Sequence, residues 1–161
     1  MATITKLNAR KLPDPGFGGV PYGNTVTLPY KFETNASGVM ADSNHASAVG
    51  NGDKVILGVI PGGTQLADAE VIISDAFTAS TTADIGFEYV DGVDDADVPQ
   101  DSDYFFDGLD TASAARTRCS QALAPVVLPK DAYLILTVGG AAHASKGVAD
   151  VLLSGIMIGV R

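Results

Sequence analysis

Tryptophan is absent from the 161 residues, cysteine occurs once and histidine twice. With Cys119 alone no intramolecular disulfide framework can form, and this usage fits a protein made in a reducing cytosol. The two histidines, His45 and His143, and the one cysteine include no pair at the short spacing that zinc sites show. Each histidine lies among small residues ("SNHASA", "AAHASK"), which reads as a surface or turn position. No Gly-x-Ser-x-Gly elbow occurs, and the glycine pairs at 18–19, 62–63 and 139–140 do not stand between a strand and a helix. Triad and phosphate-cradle chemistry therefore have no carrier, and we expect no enzyme and no cofactor. Long apolar runs are missing too. The most apolar stretch, "GVADVLLSGIMIGV" at 147–160, is shorter than the ~20 residues of a spanning helix and is interrupted by Asp150. No apolar signal-peptide core follows Met1, so no membrane segment is expected.

Positive charge is scarce. Ten Lys and Arg face 19 Asp and Glu, a net charge of −9 that repels phosphate backbones and makes nucleic acid an improbable partner. The charges are also sorted along the chain. Ten of the 19 acidic residues fall between Asp84 and Asp110, where no basic residue occurs. Three of the ten basic residues, Lys6, Arg10 and Lys11, lie within the first eleven positions.

What is present is a series of short β patterns. In "ADIGFEYV" (83–90) the residues Ala83, Ile85, Phe87 and Tyr89 share one face, with Asp84, Gly86 and Glu88 on the other. "TVTLPYKF" (25–32) alternates in part, and Pro29 makes it an edge strand. "DKVILGVI" (53–60), "AEVIISDAF" (69–77), "APVVL" (124–128), "AYLILTV" (132–138) and 147–160 complete the series. A helix over 108–123 is the weaker reading, because its serines and threonines favour strand or loop. Turns at Pro61-Gly62 and Pro129-Lys130-Asp131 echo one another, the first suiting a type II turn with Gly62 at its third position. Strands with turns every 8–15 residues give an all-β fold, a single jelly-roll-like β-sandwich over 25–161. Before it, 1–24 reads as an extended N-terminal arm, with three prolines and four glycines around Phe17 and Tyr22 between residues 8 and 24.

The acidic stretch "YVDGVDDADVPQDSDYFFDG" (89–108) holds seven aspartates. It does not match an EF-hand: Pro99 and Gln100, or Phe105 and Phe106, stand where ligands or the turn glycine are needed. An irregular calcium site from Asp94, Asp95, Asp97, Asp101 and Asp103 is the sharper reading; a solvated loop is the plainer one, and we favour it. Arg116 and Arg118, on one strand face, are its nearest cations in sequence, so an ion pair back to the loop is expected.

Taken together, "GFEYVDGVDDADVPQDSDYFFDG", "AARTR", "APVVLPKDAYLILTVGGAA" and the apolar end resemble capsid decoration, or cement, proteins of tailed bacteriophages with a jelly-roll body. The resemblance covers roughly residues 50–160. It implies no catalytic residues, a place on the outer capsid surface of the virion after synthesis in the host cytoplasm, self-association as a dimer or trimer, and major capsid protein subunits as partner. On this reading the arm supplies the grip, with Lys6, Arg10, Lys11, Phe17 and Tyr22 as its contact residues. The alternative is a calcium-dependent carbohydrate-binding jelly roll of a phage tail or head spike, and its weakness is the lack of tryptophan platforms.

Overall fold

Alternation of inward and outward side chains, read on each strand, decides how this chain folds. A computed structural model describes residues 2–5, 24–121 and 124–158. Among them are nine strands and no helix: β1 (Thr3–Thr5), β2 (Thr25–Thr34), β3 (Lys54–Ile60), β4 (Thr64–Asp75), β5 (Thr81–Tyr89), β6 (Asp101–Asp110), β7 (Ala115–Arg118), β8 (Ala132–Gly140) and β9 (Gly147–Met157). They form two sheets, β1-β3-β8-β5-β6 and β2-β9-β4-β7.

The pairing is nested. Antiparallel ladders join β2 to β9, β3 to β8, β4 to β7 and β5 to β6, as if one long hairpin had been rolled up. Ladders β4–β9 and β5–β8 close the roll. Strands β2 to β9 are thus the eight strands of a jelly roll, the all-β sandwich expected from the sequence. The short β1 joins the edge of the five-stranded sheet, parallel to β3, with Ile4 opposite Val55. These residues fall inside the segment read as an arm, and Ile4 is fully buried in the main core. Burying such a side chain contributes about 1.5–3 kcal/mol.

The inward faces meet in one core. Leu28, Tyr30 and Phe32 of β2 and Ala149, Val151 and Leu153 of β9 face Ala83, Ile85 and Phe87 of β5 and Leu134 and Leu136 of β8. The two sheets are also tied by a buried polar link, in which the Tyr30 hydroxyl donates to the Val59 carbonyl at 2.8 Å. Burial raises the Tyr30 pKa far above that of a free phenol.

A second, smaller cluster of Ile56, Ile135 and Tyr133 lies on the opposite face of the five-stranded sheet. Ile56, Ile135 and Gly86 occupy one row across β3, β8 and β5. Lys54, one row to one side, and Glu88, one row to the other, form an ion pair that arches over this row. Gly86 leaves room in that row for the backbone of the next strand: a Cβ there would lie 2.0 Å from the Asp101 carbonyl oxygen and 2.5 Å from the Ser102 carbonyl carbon.

Several expectations shift. β4 begins at Thr64, five residues before the run 69–77, because a bulge between Leu66 and Asp68 changes the parity of the alternation. Residues 124–128 are not a strand; Val127 makes only an isolated bridge to Gln65, while Leu128 is fully buried. Of the segment 108–123, the described residues 108–121 hold no helix but the end of β6 and all of β7. At the first of the echoing turns the positive φ, 76°, falls on Gly63 rather than Gly62, and the Thr64 amide returns to the Pro61 carbonyl at 3.3 Å. The two turns also touch, since the Gly62 amide donates to Asp131 Oδ1 at 2.7 Å.

Candidate interaction surface

The acidic stretch is divided by the fold. β5 ends at Tyr89 and β6 starts at Asp101, so the loop proper is 90–100 and the remaining aspartates stand on a strand. Beneath it lies an aromatic platform: Phe87 makes edge contacts with Tyr89 and Tyr104, and Tyr104 with Phe105. The Tyr89 hydroxyl donates to the Val98 carbonyl at 2.6 Å, and the Tyr89 amide to the Gln100 side chain at 3.1 Å, which pins the far end of the loop. Burial, with Asp95, Asp94 and Asp91 nearby, pushes the Tyr89 pKa up to about 12.

Aspartates here serve the backbone. Asp91 Oδ1 accepts the Val93 amide, Asp95 Oδ1 accepts the amides of Asp97 and Val98, and Asp94 Oδ1 accepts those of Asp95 and Gln100. Such side-chain caps replace the partners that a loop backbone otherwise takes from water. Among the described residues no three His, Cys, Asp or Glu side chains converge on a position that could hold a metal. The hydrogen bond to Asp103, with burial adding to it, raises the Asp101 carboxyl above the ordinary carboxylate range.

The cation that meets the loop is Lys130. Its Nζ donates to Asp91 Oδ2 at 2.8 Å and to the Val93 carbonyl at 2.7 Å. Lys130 lies in the turn leading into β8, the neighbour of β5, which is why the fold delivers it there. Arg116 and Arg118 do not reach the loop. β7 pairs with β4, so these guanidinium groups find Glu70 at 2.9 Å and Asp68 at 2.6 Å on the neighbouring strand. All six described Lys and Arg side chains are ion-paired: Lys31 with Glu33, Lys54 with Glu88, Arg116 with Glu70, Arg118 with Asp68, Lys130 with Asp91 and Lys146 with Asp75. These are surface pairs, screened by water, and each contributes little to stability. Every acidic residue except Asp14 belongs to the described part, so the body is strongly anionic. The contact residues expected on the arm, Lys6, Arg10, Lys11, Phe17 and Tyr22, lie outside the described residues.

His143 is not at the surface. It is 2% exposed, with its ring against Phe32 and Phe77 at centroid distances of 5.4 and 4.9 Å. Its Nδ1 has no hydrogen-bond partner. Burial lowers its pKa to about 4. Neither its neighbours in sequence nor its spacing signals this, because the ring is enclosed by residues from distant parts of the chain. His45 is half-buried in a loop, and Cys119 is half-buried against the core.

No protein-family model matches the chain, and no curated protein matches it in sequence. Among solved structures, a chain of the capsid of Ralstonia phage GP4 aligns with a TM-score of 0.64 at 17% identity, over 96% of this chain and 98% of that one. The two share a fold end to end. A chain of the cyanophage Pam1 capsid asymmetric unit is also similar, with a TM-score of 0.53 at 12% identity, over 91% of this chain and 93% of that one. At these identities the likeness is one of fold, and it includes the whole roll rather than one sheet.

Proposed function

We propose that this chain is a non-enzymatic virion protein that decorates the outer surface of a phage capsid and stabilises it by binding major capsid protein subunits. The observation that carries the reading is the nearly complete mutual coverage with a chain of the GP4 capsid, which leaves almost no residue of either chain outside the common fold. The charge distribution supports it. The described cations are all engaged with carboxylates of their own chain, whereas Lys6, Arg10 and Lys11 sit in a separate segment that also carries Phe17 and Tyr22. A basic, aromatic-bearing segment suits anchoring on an acidic rim with apolar pockets.

The fold sharpens the test. Removing residues 1–23 would also remove Ile4 from the core, so loss of binding could reflect loss of folding. Replacing only 6–23 with a Gly/Ser chain of equal length keeps β1. The altered protein should melt like the original yet no longer co-sediment with capsid shells. Undiminished co-sedimentation would overturn the role given to this segment.

A further inference from the structure

Among the described residues the large hydrophobic side chains left exposed are Val90, Val93, Ile156, Met157 and Ile158. Single hydrophobics scattered over a surface are ordinary, whereas several gathered in one place mark a contact region. Here they gather. Tyr89, ending β5, and Ile60, ending β3, both stand opposite Ala132 at the start of β8. Met157, ending β9, stands opposite Thr64 at the start of β4. Only the turn 61–63 separates Ile60 from Thr64, so all five side chains lie at the end of the roll where that turn joins the two sheets. Hydrogen bonds lead from one group to the other. The Ile158 amide donates to the Gly63 carbonyl at 2.8 Å, the Gly62 amide to Asp131 Oδ1, and the Val90 amide to the Asp131 carbonyl at 3.1 Å.

Val93 is the most exposed of the five, at 61%. Its backbone is nevertheless fixed on both sides. Asp91 Oδ1 accepts its amide at 3.0 Å, and Lys130 Nζ donates to its carbonyl at 2.7 Å. A loop residue in water can take both partners from solvent; here the fold supplies them from two side chains while the isopropyl group faces out. Ile158, 47% exposed, is held in the same manner through its amide. Apolar groups presented on a fixed backbone lose little conformational freedom when a partner covers them, which is the condition for a contact that binds well.

We infer that this end of the roll is a docking surface for a protein face that carries apolar side chains within a rim of lysine and arginine. The charge at this end selects the occupant. Asp91, Asp94, Asp95, Asp97 and Asp131 stand on the loop and turn beside the apolar groups, and the cation there, Lys130, is already bound to Asp91. A second copy docking by the same end would bring two sets of these carboxylates together, which opposes association. Phosphate-bearing surfaces, lipid or nucleic acid, are repelled for the same reason. A basic rim meets the carboxylates with opposite charge while the apolar centre leaves water. The inference goes beyond the anchoring role given to residues 6–23, and it stands whether or not the partner is a capsid subunit.

The probes are three synthetic peptides of equal length: an amphipathic one of Leu and Lys, its Leu/Glu counterpart, and a Lys/Ser peptide with the charge but no apolar side chains. Each is titrated into the isotope-labelled full chain and followed by NMR. The Leu/Lys peptide should shift the amides of Val90, Val93, Ile156 and Ile158 first, and the other two should not saturate there. The double variant Val93→Ser, Ile158→Ser keeps every charge. It should melt like the original and bind the Leu/Lys peptide at least about tenfold more weakly. Equal affinity in the double variant, or shifts of the unaltered chain that are absent or centred elsewhere, would overturn the inference. Should the double variant fail to fold, the shift map of the unaltered chain decides alone. Other occupants show themselves as well. A doubled mass by light scattering for the unaltered chain, returning to the monomer in the double variant, assigns this end to a second copy. Peptide binding that emerges only when 6–23 is replaced by a Gly/Ser chain assigns it to the chain's own segment. Either result overturns the inference.

Discussion

Lys130 Nζ stands 4.6 Å from the centre of the Tyr89 ring while its ammonium group holds Asp91, so one cation closes the acidic loop from its side and from below. The Lys130 hydrogen bond keeps the Asp91 carboxyl below its usual range. Replacing Lys130 with Met keeps the stem and removes the charge. Because the pair is open to water, the global stability read by urea unfolding should hardly change. The local effect should be larger, with amide exchange rising at Val93, the residue whose carbonyl loses its donor.

His143 predicts an acid-sensitive fold. Its pKa is about 4 in the folded protein against 6.5 for the free group, so between these values the unfolded chain binds the extra proton. The stabilisation is complete above pH 6.5 and is lost as the pH falls toward 4. Between pH 7 and pH 5 the contribution amounts to about 2 kcal/mol. His143→Leu should flatten the dependence of unfolding free energy on pH across this window. An unchanged slope in that variant would show that other groups cause it.

Gly86→Ala should be among the most damaging single-methyl changes. The added carbon meets Asp101 and Ser102 backbone, which cannot rotate away as a side chain can. A loss of at least about 2 kcal/mol is expected in thermal or chemical unfolding, of the size found for overpacked cores.

Tyr30→Phe removes one hydrogen bond between the sheets without changing the packing. The Val59 carbonyl is then left without this donor, and the cost should be about 1 kcal/mol. Equilibrium unfolding of the variant measures it directly.

The parts of the fold that could be read from the sequence are those where alternation is unbroken. β5 is such a strand, with Ala83, Ile85, Phe87 and Tyr89 inward as their spacing requires. The first part of β4 was hidden because the bulge after Leu66 exchanges the two faces midway. Val126, Val127 and Leu128 carry a strand-like apolar pattern, yet they serve as a strap that fills the core from outside the ladders. The surface chemistry was harder to read. Arg116 and Arg118 are nearest to the acidic loop along the chain, but the roll sends β7 to the other sheet, and Lys130 arrives through the β5–β8 ladder instead. His143 gave no local sign at all, since the rings that enclose it come from β2 and from the residues after β4.

Anchorage of residues 6–23 at both ends has a mechanical consequence. One end leaves the five-stranded sheet at Thr5 and the other enters the four-stranded sheet at Thr25, so a load on the segment is divided between the two layers. The joints are unequal, with three residues in register on one side and ten on the other. Under tension the shorter joint peels first, lengthening the segment while the eight-stranded roll stays closed. The protein can give way without breaking.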